Sequence, residues 1–330
     1  LWTYAGDGAP LSPPAAGPGA FFFGAADGFI RAVNASTGDV LWKTFGGGGQ
    51  VTAPPMYDAA SAAVFTFTAD GALQRLDAAS GRVVWNASVE GALGGSAWAP
   101  AIAGGNVFVA TGGDLLVPFD VETGAQRFWQ LQGDATPAIS PDGDTAWVGF
   151  ESGYMTAFNP STGNTDWQAP ESPNYSPTYT PAVGDVSLFA LSGGQLLGMD
   201  RESGTLNWAS TLPSSSSSTA ATTGRSVPIS TGEGVVLATS SYGLVGVSAF
   251  GAGVAWKRRA TLASLDISPA RVAFETAAQA NASAVCVGES SGDITCLDPV
   301  SGNASTPAPD FATAPGPVTS TLVTDVSTRV

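Results

Sequence analysis

Six five-residue phrases return down this chain: "NASTG" at 34–38, "DAASG" at 77–81, "DVETG" at 120–124, "NPSTG" at 159–163, "DRESG" at 200–204 and "DPVSG" at 298–302. A seventh, "SAFG" at 248–251, is one residue shorter. The shared form is Asp or Asn, two free positions, Ser or Thr, then Gly. An Asp or Asn side chain bonds the backbone two residues on, and glycine takes the positive φ that closes such a turn. Four residues past the glycine stands an aromatic, at Trp42, Trp85, Phe128, Trp167 and Trp208, with Trp256 one place later. Successive aromatics lie 39 to 48 residues apart.

Upstream of each phrase sits an earlier turn: "ADG" at 26–28 and 69–71, "ESG" at 151–153, "SGG" at 192–194, "SYG" at 241–243 and "SSGD" at 290–293. Short apolar runs precede it, such as Phe21 to Phe23 and Val64 to Phe67. Before those comes a step into proline, as at Ala53-Pro54, Thr136-Pro137 and Thr180-Pro181. Each period therefore reads as four short antiparallel strands joined by tight turns, with no helical periodicity. Four strands in roughly 40–50 residues is the arithmetic of a β-propeller blade. A single blade cannot cover both of its faces, so it must lie against neighbours. The aromatics are then expected to act as wedges between blades.

Composition narrows the chemistry. The chain has no histidine, which removes the usual general base and the usual zinc ligand. Its 27 acidic residues outnumber 12 basic ones, for a net charge of −15. Two lysines and scattered arginines cannot neutralise a phosphate backbone, so nucleic acid is excluded as a partner. No apolar run approaches the roughly 20 residues of a membrane span, so direct membrane insertion is not expected. The chain opens on Leu1, which reads as a processed or trimmed start.

"DGFIRAVNASTGDVLW" at 27–42, "DGALQRLDAASGRVVW" at 70–85 and "SGYMTAFNPSTGNTDW" at 152–167 resemble the pyrroloquinoline-quinone-like repeat of the quinoprotein alcohol dehydrogenase-like propellers. The resemblance covers residues 14–306. It implies an all-β propeller of four-stranded antiparallel blades. The family holds enzymes and pure scaffolds alike. Enzymes of the family need a calcium-binding Glu/Asn/Asp set, and many place vicinal cysteines over the quinone. Here the cysteines are ten apart and the carboxylates Asp27, Asp70, Asp77, Asp120, Asp200 and Asp298 belong to the repeated turns. "SPDGD" at 140–144 reads as a hairpin turn rather than a calcium loop. No catalytic, cofactor-binding or metal-binding residue is expected.

Cys286 and Cys296 are equidistant from Ser291, so they should face each other across a hairpin. They read either as a disulfide, which implies an oxidising compartment, or as two buried small residues at ordinary strand positions. Asn34, Asn86, Asn174, Asn281 and Asn303 each begin N-x-S, and all five fall where turns or loops are expected. With the proline-rich stretches at 11–19, 170–181 and 305–317, they point to a secreted or cell-surface glycoprotein (cell wall or ciliary surface).

Ring closure is expected to involve both ends. "LWTY" at 1–4 matches "LWKT" at 41–44, and so reads as a closing outer strand in which Trp2 repeats the role of Trp42. "TLVTDVS" at 321–327 matches "PAVGDVS" at 181–187, so residues 318–330 read as the start of a partial last blade. Eight blades are favoured over seven. The function expected is a non-enzymatic extracellular scaffold that binds other proteins or glycans, as a subunit of a larger assembly. A carbohydrate-binding or sensing module is the alternative, and a quinone-dependent oxidoreductase a further one.

Overall fold

The computed structural model describes residues 4, 12–51, 53–89, 98–111, 115–133, 135–149, 154–169, 180–192, 194–213, 229–230, 234–240, 242–251, 253–259, 285–288, 294–298 and 300–303. These residues hold no helix, and so none long and apolar enough to cross a membrane. The chain divides into two compact units, residues 1–150 with 158–166, and residues 151–157 with 167–330.

In the first unit, strands follow one another in chain order within each sheet. The first sheet is β1 (Ala15–Gly17), β2 (Ala20–Gly24), β3 (Phe29–Asn34) and β4 (Val40–Phe45). The second is β5 (Met56–Asp58), β6 (Ala63–Phe67), β7 (Ala72–Asp77) and β8 (Val83–Ser88), and the third β9 (Ala101–Ala103), β10 (Asn106–Ala110), β11 (Leu115–Asp120) and β12 (Leu131–Gln132). A fourth sheet, with strands assigned to both units, is β13 (Ala138–Ile139), β14 (Ala146–Gly149), β15 (Met155–Phe158) and β16 (Thr165–Ala169).

The second unit repeats the pattern. Its sheets are β17 (Ala182–Val183), β18 (Ser187–Ser192), β19 (Gln195–Asp200) and β20 (Leu206–Thr211), then β21 (Ile229–Ser230), β22 (Val235–Ser240), β23 (Gly243–Ser248) and β24 (Val254–Arg259). A two-stranded pair follows, β25 (Val285–Gly288) and β26 (Ile294–Leu297).

The apolar runs are continuous because middle strands are covered on both faces. Every residue of β6 and of β10 is buried. Side chains alternate, so Val64 and Leu76 pack with Phe22 and Ile30 of the first sheet and Val51 of the loop after it, while Phe65, Phe67 and Leu73 pack with Val107, Val109 and Phe119 of the third. In the second unit, Phe189, Leu191 and Leu196 meet Val236, Val245 and Val247 of the next sheet in the same way. Burying each such side chain contributes roughly 1.5–3 kcal/mol. The first strands of neighbouring sheets run side by side, β1 with β5, β9 with β13, and β17 with β21. Fourth strands such as β8 alternate exposed and half-buried residues, as a sheet edge should.

Four of the fourth strands share one irregularity. Register slips between Ala32 and Val33, Arg75 and Leu76, Gly198 and Met199, and Gly246 and Val247. The residue skipped is Leu41, Val84, Asn207 or Ala255, each immediately before a tryptophan. A bulge bends the edge strand and increases its twist, which re-aims the next side chain. At the bulge itself the edge is a poor template for another strand, whereas from the tryptophan onward the pairing is regular.

Of the expected closing elements, Trp2 and residues 318–330 lie outside the described residues. Tyr4 belongs to no strand, and its ring centroid stands 5.3 Å from that of Phe23. Phe23 alternates with Phe22, so Tyr4 packs on the face of the first sheet turned away from the second.

Candidate functional site

The repeated phrase folds as its residue types require. Asn34 Oδ1 accepts from the Ser36 and Thr37 amides at 2.8 and 3.1 Å, and Asp120 Oδ1 from Glu122 and Thr123 at 3.1 and 2.8 Å. Asn159 and Asp200 do the same, and Asp77 and Asp298 hold the amides of Ser80 and Ser301. The glycine amide then donates to the carbonyl of that Asp or Asn, closing the turn. Hydroxyl bonds from Ser80, Thr123 and Ser203 hold the carboxyls of Asp77, Asp120 and Asp200 below the usual range, and the Ser301 amide does so for Asp298.

The glycines answer to two demands at once. Gly81, Gly124, Gly163, Gly204 and Gly302 have φ between 69° and 76°. An aromatic ring from the preceding sheet also lies where a Cβ would stand. The rings are Trp42 over Gly81 at 2.5 Å, Trp85 over Gly124 at 2.7 Å and Trp167 over Gly204 at 2.5 Å, with Trp129 over Gly163 and Trp256 over Gly302 in the same way. The indole N–H completes the joint. Trp42, Trp85 and Trp167 donate to the carbonyls of Ala78, Val121 and Arg201 at 2.9, 3.1 and 3.2 Å. Each tryptophan thus closes a hydrogen bond and a packing contact on the turn of the following sheet.

The third sheet departs from the expected assignment. Phe128 is no wedge, because it stands wholly in solvent and Trp129 takes the place over Gly163. The cause is Pro118 in β11. Its carbonyl accepts from the Arg127 amide at 2.9 Å, so its missing N–H falls on the side of the outer strand and the ladder cannot close there. Pairing resumes only at Leu116 with Leu131, leaving Phe128 in the gap. The offset of Trp129 from its glycine equals that of Trp256 from Gly251, a clue legible in the sequence. Asn106 here supplies the donor that an indole gives elsewhere. Its Nδ2 reaches the Pro160 carbonyl at 2.8 Å, and Arg127 ties its Oδ1 at 2.7 Å to Asp120 at 2.8 Å. Nothing in the sequence marks Asn106, which looks like a turn residue.

Trp208 has a different seat. The shortened turn leaves Gly251 with nothing within 4 Å, so Trp208 meets no glycine there; it lies over Gly198 of its own sheet, as Trp256 lies over Gly246, and packs against the cluster of Phe189, Val236 and Val245. Among the other residues singled out, Cys286 and Cys296 are direct backbone partners in the β25–β26 pair. Asn34 ends β3, and Asn303 is exposed beyond the last described turn. Asn86 sits exposed within β8 rather than in a loop, because the fourth strand continues past its tryptophan. Asn174 and Asn281 lie outside the described residues. "SPDGD" joins β13 to β14 as a hairpin turn with Gly143 at φ 79°.

At the first turn of the first sheet, Asp27 grips the buried Arg31 guanidinium through both carboxylate oxygens, with Lys43 Nζ at 3.6 Å. The Arg31 hydrogen bond foremost lowers the Asp27 carboxyl to about 2. Asp70 is lowered by the Gly49 amide and the Thr68 hydroxyl. Among the described residues no three His, Cys, Asp or Glu stand close enough to share a metal ion.

Four-stranded blades, joined in five places by a tryptophan over the glycine turn of the following sheet, define a β-propeller of the pyrroloquinoline-quinone-like repeat class. Within that class, the chain belongs to the family described as outer membrane protein assembly factor BamB, which it matches over residues 26–176 and 174–330. No curated protein matches it. Among solved structures it is similar to BamB from Moraxella catarrhalis, at 21% identity and a TM-score of 0.71, covering 95% of this chain and 88% of that one. The computationally designed Ika8 protein follows at 16% identity and TM-score 0.69, covering 97% and 92%. A europium-containing methanol dehydrogenase shares the fold at 11% identity and TM-score 0.72, covering 97% and 81%. The described residues do not fit a quinone and its metal, since the repeated carboxylates are engaged by their own turns.

Proposed function

We propose that this protein is a non-enzymatic propeller scaffold that holds other proteins in a larger assembly outside the cytoplasm. The observation that carries the reading is membership of a family described as an assembly factor. The engaged state of the turn carboxylates supports it, because a hydrolytic or redox site would need such groups free. The extracellular setting rests on the sequons and the cysteine pair: at least two of Asn86, Asn174, Asn281 and Asn303 carry N-glycans, and Cys286 is bonded to Cys296. Peptide mass spectrometry of native material tests this, and bare asparagines with alkylatable thiols overturn it. Cross-linking of the native assembly tests the scaffold role, with reproducible links from the propeller to the same partner proteins as the expected result. Substrate-dependent dye reduction, after addition of pyrroloquinoline quinone and calcium, overturns the non-enzymatic assignment.

A further inference from the structure

The outer edge of β24 carries the one run of three cations in the chain, Lys257, Arg258 and Arg259. In a protein of net charge −15, four of the other described cations are drawn into ion pairs: Arg31 and Lys43 with Asp27, Arg75 with Glu122, and Arg127 with Asp120. Lys257 and Arg258 differ. Among the described residues neither has a carboxylate partner, and the Lys257 Nζ rests only over the Tyr242 ring, 5.2 Å from its centroid. The remaining fourth strands carry no comparable charge. β4 has Lys43 alone, β8 and β20 have none, and β16 has Asp166.

Backbone geometry at this edge is also favourable. The bulge at Ala255 lies behind these residues, and Lys257, Arg258 and Arg259 pair regularly with Val245, Leu244 and Gly243 on the inner side. No described strand pairs on the outer side. A shallow groove beside it is lined by Thr211, Pro213, Val254, Trp256 and Lys257. We infer that β24 is a docking edge for an acidic extended segment of a partner protein, which adds as a strand and pairs its carboxylates with Lys257 and Arg258. Strand addition gives affinity through the main chain, and the cations choose the partner. The acidic remainder of the chain is screened beyond about 10 Å at 0.1 M salt, so attraction at this edge stays local. Edge lysines also serve to keep sheets apart, and that role alone predicts no affinity for any strand.

This inference deepens the scaffold reading and rests on it. The test uses the full chain and a labelled peptide of alternating glutamate and valine, followed by fluorescence polarisation. A lysine–valine peptide, the glutamate peptide N-methylated at alternate residues, and dextran sulfate serve as competitors. The expected result is binding of the glutamate peptide that K257E/R258E weakens by about tenfold or more and that Arg82→Glu, on another sheet, leaves unchanged. K257R should restore binding lost in Lys257→Gln, which separates charge from misfolding. No binding, equal competition by the lysine peptide, full competition by the N-methylated peptide, or displacement by dextran sulfate alone overturns the docking edge. Such a failure leaves cross-linked partners intact, whereas quinone-dependent dye reduction removes the scaffold reading whatever the peptide measurement gives.

Discussion

A methyl group added at position 81 would meet two obstacles at once. The backbone there has φ 70°, and the Trp42 ring occupies the space at 2.5 Å. Gly105 separates the two effects, since its φ is 74° and nothing stands within 4 Å of the Cβ position. Gly105→Ala is expected to cost about 1–2 kcal/mol from the left-handed backbone alone. Gly81→Ala should cost a further ~1–3 kcal/mol, because the ring must move within a packed joint. Urea unfolding of both variants checks the difference, and equal losses would mean the ring yields freely. At this scale the sequence was half legible. The Asx turn and its glycine follow from residue type, but the ring that also demands glycine lies 39 residues upstream and leaves no local mark.

Strands and their order were readable from apolar runs and turn phrases, whereas strand edges were not. Pro118 breaks the outer ladder of the third sheet, and a proline inside an apolar run shows its effect only once the partner strand is known. Hence Phe128 took a role in the sequence reading that belongs to Trp129. Trp129→Ala should cost about 3–5 kcal/mol, as loss of a large packed aromatic does, while Phe128→Ala should change stability by less than about 0.5 kcal/mol. Thermal melts of the two neighbouring variants decide this. Asn86 was misplaced for a related reason, since "NAS" continues the strand past Trp85 instead of leaving it. The bulge before Trp42, Trp85, Trp208 and Trp256 has no sequence signature, because the skipped residues Leu41, Val84, Asn207 and Ala255 share no chemistry.

For the molecule as a whole, six turn carboxylates are held below the usual carboxylate pKa: Asp27, Asp70, Asp77, Asp120, Asp200 and Asp298. A carboxyl held below its unfolded value stabilises the fold fully above that value and loses the contribution as pH falls through the folded one. For Asp27 the window runs from 3.8 down to about 2. Urea midpoints should therefore drop steeply between about pH 4 and pH 2. Asp27→Asn should be less stable than the parent at neutral pH and lose less across that window, and parallel curves would refute the assignment. The propeller class and its repeats were legible because period and turn chemistry are global. Blade count was not, since it depends on Trp2 and residues 318–330, which carry too little pattern to choose between eight and seven.

Each copy of the phrase presents a glycine turn to the copy before it and a tryptophan to the copy after it. Any copy can therefore stand beside almost any other. Duplication or loss of one whole period would leave every surviving joint with a matching half, so an array of this kind can grow or shrink by unequal recombination without passing through a broken intermediate. The exception is the junction of Trp208 with the shortened turn at 248–251, where Gly251 receives no ring. That junction is not interchangeable. A period inserted there would bring together halves never fitted to each other, which makes it the least tolerant place in the chain for a change of length.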